Sequence, residues 1–394
     1  MHRELTKGVY YIGVDDHHTE YFENLWKLPF GVSYNSFLIV DEKIAIIELV
    51  KGPWAQEWIE NIKEIVDPKD IDYIIMNHME PDHTGALPEI AKIATNATMV
   101  YTRMASGMQE SFYDVSLEQK IVDDLEEISL GEKTLKFVHA KFLHWPETMM
   151  TYLMEDRILF SCDAFGSYGA LNGKHFDDEI DLRMIEHESR RYLSSIITSY
   201  LKFIQRGIQK VKNLGIDIEM IAPSHGPIYR DNPMWIVERY DRWSSPELEN
   251  NCTIVYGTMY GFTHRVAYKL KEALENLDVD VKVHNIVYSD MSDIIVDTMR
   301  AGVIVIGSPT YDAYPFPPIG TFVDELEGKR FAQRPMGLFG NYGWGGGAIR
   351  KLKPRLQEDG FEVLEPTIRV RGKPNDEEEE QIRHLAKEIA SKLG

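Results

Sequence analysis

Six consecutive residues, His78-Met79-Glu80-Pro81-Asp82-His83, hold two imidazoles and two carboxylates. In an extended segment alternate side chains share a side, so His78, Glu80 and Asp82 face together while His83 points elsewhere. His144, Asp163 and His225 follow, each just beyond an apolar stretch. A lone histidine after a strand is ordinarily a hydrogen-bonded structural residue; four strand ends that each deliver donors are much harder to obtain by chance. The set suits two metals side by side. His78, Glu80 and His144 would hold one, and Asp82, His83 and His225 the other. Asp163 can bridge, because a carboxylate has two oxygens. These seven residues are therefore both the metal-ligand and the catalytic candidates. No thiolate is among them, so nothing draws Cu(I) or a structural zinc. Three carboxylates against two cations suit a redox iron pair, although spacing alone leaves iron and zinc open.

A second group lies in the last third. Thr258-Met259-Tyr260-Gly261-Phe262-Thr263 follows a strand and opens a helix. Hydroxyls at both ends, with backbone N–H groups at a helix start, make a phosphate cradle. It is neither a Walker A motif nor Gly-x-Gly-x-x-Gly, which weakens a nicotinamide reading. Gly307-Ser308-Pro309-Thr310-Tyr311 and Asn341-Tyr342-Gly343-Trp344-Gly345-Gly346-Gly347 follow two later strands. Tyr311, Tyr342 and Trp344 could border an isoalloxazine ring. Three such loops at one sheet edge favour FMN over simple core packing.

The elements that must position these groups read clearly. Val9–Val14, Ser36–Val40 and Ile44–Glu48 are expected strands, the last two joined by a turn at Asp41-Glu42-Lys43. Trp54, Trp58, Ile62 and Ile65 fall at helical spacing, and Asp67-Pro68 stops that helix. Ile71–Met76, Leu135–His139, the hairpin Met149–Met154 with Arg157–Ser161, and Ile218–Ala222 complete the strands before the donors. Leu182 to Leu214 reads as one long helix. Near 245–252 the chain turns polar, and the boundary is placed there: 1–250 for the metal domain, 251–394 for the flavin domain. Beyond it, five strands alternate with helices, which predicts a doubly wound parallel sheet. Asp376–Glu380 is an acidic run that caps the last helix from Asn375, with Glu378 three residues on.

Composition sets limits. The 394 residues suffice for two or three domains. Lys+Arg 43 against Asp+Glu 63 gives a net charge of −20, which repels phosphate backbones and anionic lipids, so neither nucleic acid nor membrane is an expected partner. No apolar run approaches a membrane span and no secretory leader is expected. Two cysteines, Cys162 and Cys252, cannot build a disulfide framework or a rubredoxin-type iron site. A reducing cytoplasm fits.

The order His-x-x-x-Asp-His, then a His, an Asp and a His, resembles the metallo-β-lactamase fold. Most hydrolases of that fold carry a His where Glu80 stands. Glu80, with His144-Trp145-Pro146-Glu147-Thr148, Asp163-Ala164-Phe165-Gly166 and Pro223-Ser224-His225-Gly226, is similar to the flavodiiron proteins over essentially the whole chain. The resemblance implies an α/β chain, with an N-terminal metallo-β-lactamase-like αββα domain followed by a flavodoxin-like domain. It implies two iron ions and FMN, and an oxidoreductase that reduces O₂ to water or NO to N₂O. It also implies electrons from a small donor protein such as a separate rubredoxin, since no such module is expected within this chain, and a head-to-tail homodimer or dimer of dimers. Trp344 is the candidate for the dimer junction. Many members carry a His in the segment before Gly31 to Asn35, where this chain has Glu23; His2, His17 and His18 are not counted as ligands. The alternative is a dizinc hydrolase with a flavodoxin-like docking domain, and Glu80 speaks against it.

Overall fold

The computed structural model describes residues 2–331 and 334–394. The chain divides into two compact units, Met1–Ser245 and Pro246–Gly394, each described by itself.

Short, largely apolar strands buried on both faces build two sheets in the first unit. One has seven strands in the order Arg3–Thr6, Val9–Tyr11, Phe37–Val40, Ile44–Ile47, Ile71–Ile75, Thr98–Tyr101, Glu118–Ile121. The other has five: Glu127–Ser129, Thr134–His139, Met149–Leu153, Ile158–Cys162, Met220–Pro223. Val9, Phe37, Ile39, Ile47 and Ile75 of the first pack against Leu135, Phe137, Met149, Phe160 and Ala222 of the second in one buried cluster. The sheets therefore lie face to face, and helices cover them. Ala55–Lys63 buries Trp58, Ile59 and Ile62, and the Trp58 Nε1 donates to Ser36 Oγ at 3.0 Å. The Asp41–Lys43 turn joins an antiparallel pair in register from Phe37↔Ile47 to Val40↔Ile44.

Two expectations for this unit need correction. The expected strand Val9–Val14 breaks at Gly13, where a Cβ would sit 2.4 Å from the Tyr34 carbonyl oxygen. Its far part, Val14–Asp16, pairs with Val32–Tyr34 instead. The long helix 182–214 is interrupted. Leu182–Tyr192 gives way to a π turn, Leu193–Ile197, and a 3₁₀ turn, Thr198–Tyr200, before Leu201–Leu214 resumes. The cause is a run of hydroxyls. Ser194 and Ser195 both donate to the Arg191 carbonyl and Thr198 donates to the Ser194 carbonyl, competing with the helical ladder.

The second unit is a parallel sheet in the order Asp280–Asn285, Glu249–Tyr256, Ala301–Tyr311, Pro335–Tyr342, with Glu362–Val363 and Ile368–Arg371 both pairing the last of these. Helices on both faces make it doubly wound, with the switch of direction beside Glu249–Tyr256. That strand starts earlier than its polar residues suggested. Glu249 pairs with Ala301 and Asn251 with Asp280, so part of the expected linker is sheet. The final helix runs Asp376–Leu393 with the expected cap: Asn375 Oδ1 accepts from the Glu378 N–H at 2.8 Å, and Glu378 Oε2 accepts from the Asn375 N–H at 2.9 Å. Among the described residues, no helix is long and apolar enough to cross a membrane.

Candidate functional site

Strand ends bring the seven candidate donors together. His78 follows Ile71–Ile75, and the short helix Pro81–Thr84 carries Asp82 and His83. Asp163 directly follows Ile158–Cys162, and His225 follows Met220–Pro223 by two residues. His144 lies in the loop between Thr134–His139 and Met149–Leu153.

Their atoms form two groups on either side of one carboxylate. Around Asp163 Oδ2 lie the His78 Nε2 at 3.5 Å and the His144 Nε2 at 3.6 Å. Glu80 Oε2 is 3.2 Å from the His78 Nε2 and 3.1 Å from the His144 Nε2. Around Asp163 Oδ1 lie the His83 Nε2 at 3.2 Å and the His225 Nε2 at 3.5 Å. Asp82 sits 3.6 Å from the His83 Nε2 and 3.4 Å from the His225 Nε2.

Several partners hold these rings from behind, and the sequence offered no signal for them. Glu147 Oε1 accepts from the His78 Nδ1 at 2.7 Å and from the Met79 N–H at 3.0 Å. The Ser33 carbonyl accepts from the His225 Nδ1 at 2.8 Å. Glu48 Oε2 lies 3.4 Å from the His83 Nδ1. The Tyr192 hydroxyl donates to Asp163 Oδ1 at 2.6 Å. Glu147 was inside a motif but without a role; the others lie far along the chain. The contacts at His78, His225 and His83 meet Nδ1 and leave Nε2 aimed inward, while Tyr192 orients the Asp163 carboxylate.

The electrostatics show what this cluster lacks. Both Asp82 oxygens and the Nε2 atoms of His83 and His225 are buried with no hydrogen-bond partner. Such atoms are costly unless something satisfies them. Burial works against charge on His78, but its hydrogen bonds to Glu147 and Glu80 outweigh it and push the imidazole up to about 10. Asp163 is held well below the usual carboxylate range, burial opposing and the His83 charge prevailing. Protons on His78 and His83, both raised by neighbouring carboxylates, thus offset carboxylate charge here. A cation on each side of Asp163 would take their place and meet the orphaned atoms, since ligands bind metal deprotonated. Seven N/O donors and no thiolate fit iron. Cys162 adjoins Glu48 and His83, but burial above all pushes its thiol well up, which keeps it protonated and inert. Glu23 lies beside this group: burial, then the Glu80 charge, pushes its carboxyl up to about 7.

In the second unit, Thr258, Met259, Tyr260, Phe262, Thr263, Pro309, Thr310, Asn341, Tyr342, Gly343 and Trp344 line one cavity of about 310 Å³, joined by Gly372. Gly372 was not foreseen; it reaches the cavity because Asn341 Nδ2 donates to its carbonyl at 2.6 Å. Four expected residues sit off the lining. Gly261 caps the helix Phe262–Glu275 at φ 83, where a left-handed conformation favours glycine. Its N–H donates to Thr258 Oγ1 at 3.0 Å. Ser308 is buried, bonding the Pro309 carbonyl and the Phe316 N–H. Tyr311 stands edge-on to Phe316, and the Gly345 carbonyl accepts from Arg350. A helix start capped by Gly261 and flanked by two threonines fits a phosphate. Aromatic rims at Tyr342 and Trp344 fit a flat ring.

Residues 32–226 match the model of the ODP family beta lactamase, and residues 254–385 that of flavodoxin. The chain is 33% identical over 392 residues to the nitric oxide reductase of Moorella thermoacetica, covering 99% of this chain and 98% of that one. Rubredoxin oxygen:oxidoreductase from Desulfovibrio gigas superimposes with a TM-score of 0.95 at 27% identity, covering 100% of this chain and 98% of that one. The flavodiiron protein from Giardia intestinalis gives 0.94 at 28%, covering 100% and 97%. The chain belongs to the flavodiiron protein family. It is an oxidoreductase with a metallo-β-lactamase-like unit and a flavodoxin unit. As a flavodiiron protein it has two cofactors to accommodate, a flavin and an iron pair, and both places just described fit them.

Proposed function

We propose that this flavodiiron protein reduces O₂ to water, NO to N₂O, or both, at two irons fed with electrons through FMN. The single observation that carries the reading is the pairing of donors on either side of Asp163 in a chain that matches O₂- and NO-reducing relatives end to end. His78, Glu80 and His144 would hold one iron and Asp82, His83 and His225 the other, with Asp163 a candidate for both. When bound, the iron pair stores two electrons and the flavin hands on one or two at a time. Reducing two NO to N₂O and water takes two electrons and two protons; reducing O₂ to two waters takes four of each.

The chain's own residues supply the rest. Glu147 and the Ser33 carbonyl set the rings of His78 and His225. Tyr192 holds Asp163 Oδ1. His78, His83, His144, Asp163 and His225 are buried, which limits bulk water at those donors. Glu23 places a carboxyl beside Glu80, where a proton can be held near the reacting gas. In the flavodoxin unit, Thr258, Thr263 and the N–H groups of the loop 258–263 would hold the FMN phosphate, with Tyr342 and Trp344 available to the ring.

Electrons come from a small donor protein of the rubredoxin kind. The working assembly is a head-to-tail homodimer, or a dimer of two such dimers, in which the flavin of one chain serves the irons of the other. Tyr260 and Trp344, 84% and 80% exposed at the rim of the flavin cavity, support that reading, since large aromatics at a rim are typical of an interface. Two buried unpaired thiols, Cys162 and Cys252, suit a reducing cytoplasm.

Purified protein should be yellow, hold two irons per chain, and consume NO or O₂ when a reduced donor is supplied. Colourless protein with zinc, or iron-loaded yellow protein that consumes neither gas, would sink the proposal.

A further inference from the structure

A cavity lies on the outer face of the five-stranded sheet. Helices Leu201–Leu214 and Pro233–Ser244 and the strands Met149–Leu153, Ile158–Cys162 and Met220–Pro223 all contribute walls to a space of about 260 Å³. The walls are apolar: Met150, Leu159 and Ile221 come from the strands, Ile204 and Ile208 from the helix. Lys212 and Asp217 are the charged lining residues. Both are exposed and engaged at the surface, Lys212 with Asp241 and Asp217 with Arg157, so they mark the solvent end. At the other end stand Leu143, Ala164 and Phe165, all buried. Leu143 precedes His144 and Ala164 follows Asp163 in the chain. The space thus runs from the surface to the back of two loops that carry candidate iron ligands.

Ordinary packing would close such a space, because an unfilled apolar void forfeits contacts on all its walls. Instead the helix places Gly207 on it. A Cβ there would meet only Leu143 Cδ2, at 3.6 Å, so a side chain would fit, and glycine in a helix interior is less stable than alanine. Two destabilising features, a void and a helical glycine, meet beside Leu143. Apolar cavities take up xenon or benzene, and with water's share of liquid volume near ~30 Å³ this one has room for several diatomic molecules.

We propose that the cavity is a docking site for the apolar gas substrate, collecting O₂ or NO from solvent and passing it by Leu143 to the metal centre. The proposal rests on the gas-reductase function above. Both gases are small and nearly nonpolar, so they concentrate in a dry apolar space, whereas water and anions do not.

Xenon-pressurised crystals of the holoenzyme test occupancy directly. Xenon should appear between Ile204, Ile208 and Leu143. Gly207→Leu and, separately, Ile208→Phe fill the space without touching any candidate ligand. Each should exclude xenon, leave iron content and flavin reduction unchanged, and lower several-fold the second-order rate at which dissolved O₂ reoxidises the reduced enzyme. An empty cavity under xenon overturns the proposal. So does an unchanged reoxidation rate in a folded variant that excludes xenon, and if neither variant folds the xenon result alone decides. A wild-type enzyme that admits xenon yet reduces neither gas overturns the functional reading instead, and the cavity then stands as a site for apolar gas alone.

Discussion

Glu147 is a negative charge behind a histidine, and its worth can be measured. Replacing it with glutamine keeps an acceptor near the His78 Nδ1 but removes the charge that strengthens the ring as a donor. Glu147→Gln should weaken metal retention by roughly 10–100-fold, as losses of such partners do. Chelator competition with metal analysis reads this out; full retention would mean that Glu147 only packs. Asp297 in the flavodoxin unit is a second residue of this kind. Burial opposes its charge, but His284 and Lys282 outweigh it and hold the carboxyl below its ordinary value. A lowered carboxylate stabilises the fold above its unfolded pKa and loses that contribution as pH falls through the folded value. Asp297→Asn should therefore lower the Tm clearly at pH 7, and the gap should close below about pH 4. A gap that persists there would remove the ion pair as the cause. The seven donors were legible because four fall within six residues and three follow strands. Glu147, Ser33 and Tyr192 were not, because their contacts span 69, 192 and 29 residues and leave no local spacing to read.

Elements follow local rules where the local rule has no competitor. The cap at Asn375 was readable since its two hydrogen bonds lie within four residues. Asn375→Ala should cost about 1 kcal/mol, seen as a lower Tm with FMN content unchanged; an unaltered Tm would show that packing of Ile382, Leu385 and Ile389 alone holds the helix. The interrupted helix shows the opposite case. Ile204 and Ile208 keep the helical spacing and are buried, yet periodicity cannot reveal that Ser194, Ser195 and Thr198 turn their hydroxyls onto the backbone. The hairpin at Asp41–Lys43 was legible from polar turn residues between two apolar runs, whereas the break at Gly13 depends on Tyr34, a neighbour brought in by the fold.

For the whole molecule, alternating strands and helices were enough to expect the doubly wound sheet, and the donor order enough to expect the two-sheet unit. Neither discloses how copies assemble. The head-to-tail dimer is tested by mixing two inactive proteins. One lacks metal through His83→Ala and His225→Ala; the other lacks FMN through Thr258→Val and Thr263→Val. Mixed dimers then contain one intact flavin–iron pair across the interface, and gas reduction should return. Confirmed subunit exchange with no recovered activity would place transfer within a single chain. With a net charge of −20, association of copies and of donor protein is also expected to vary with ionic strength.

The candidate ligands of each cofactor are scattered in sequence but confined to one unit, and this imposes an order on biogenesis. The candidate iron donors run from His78 to His225, and the last of them follows the final strand of its sheet. A nascent chain that stops short of His225 has no complete second iron position, however much of the two sheets it has formed. The flavin loops begin only at Thr258 and close with Gly372. Along the ribosome, the iron site is therefore completed while the flavodoxin unit is still being made. Iron capture marks the maturity of one unit, and flavin capture marks that of the other.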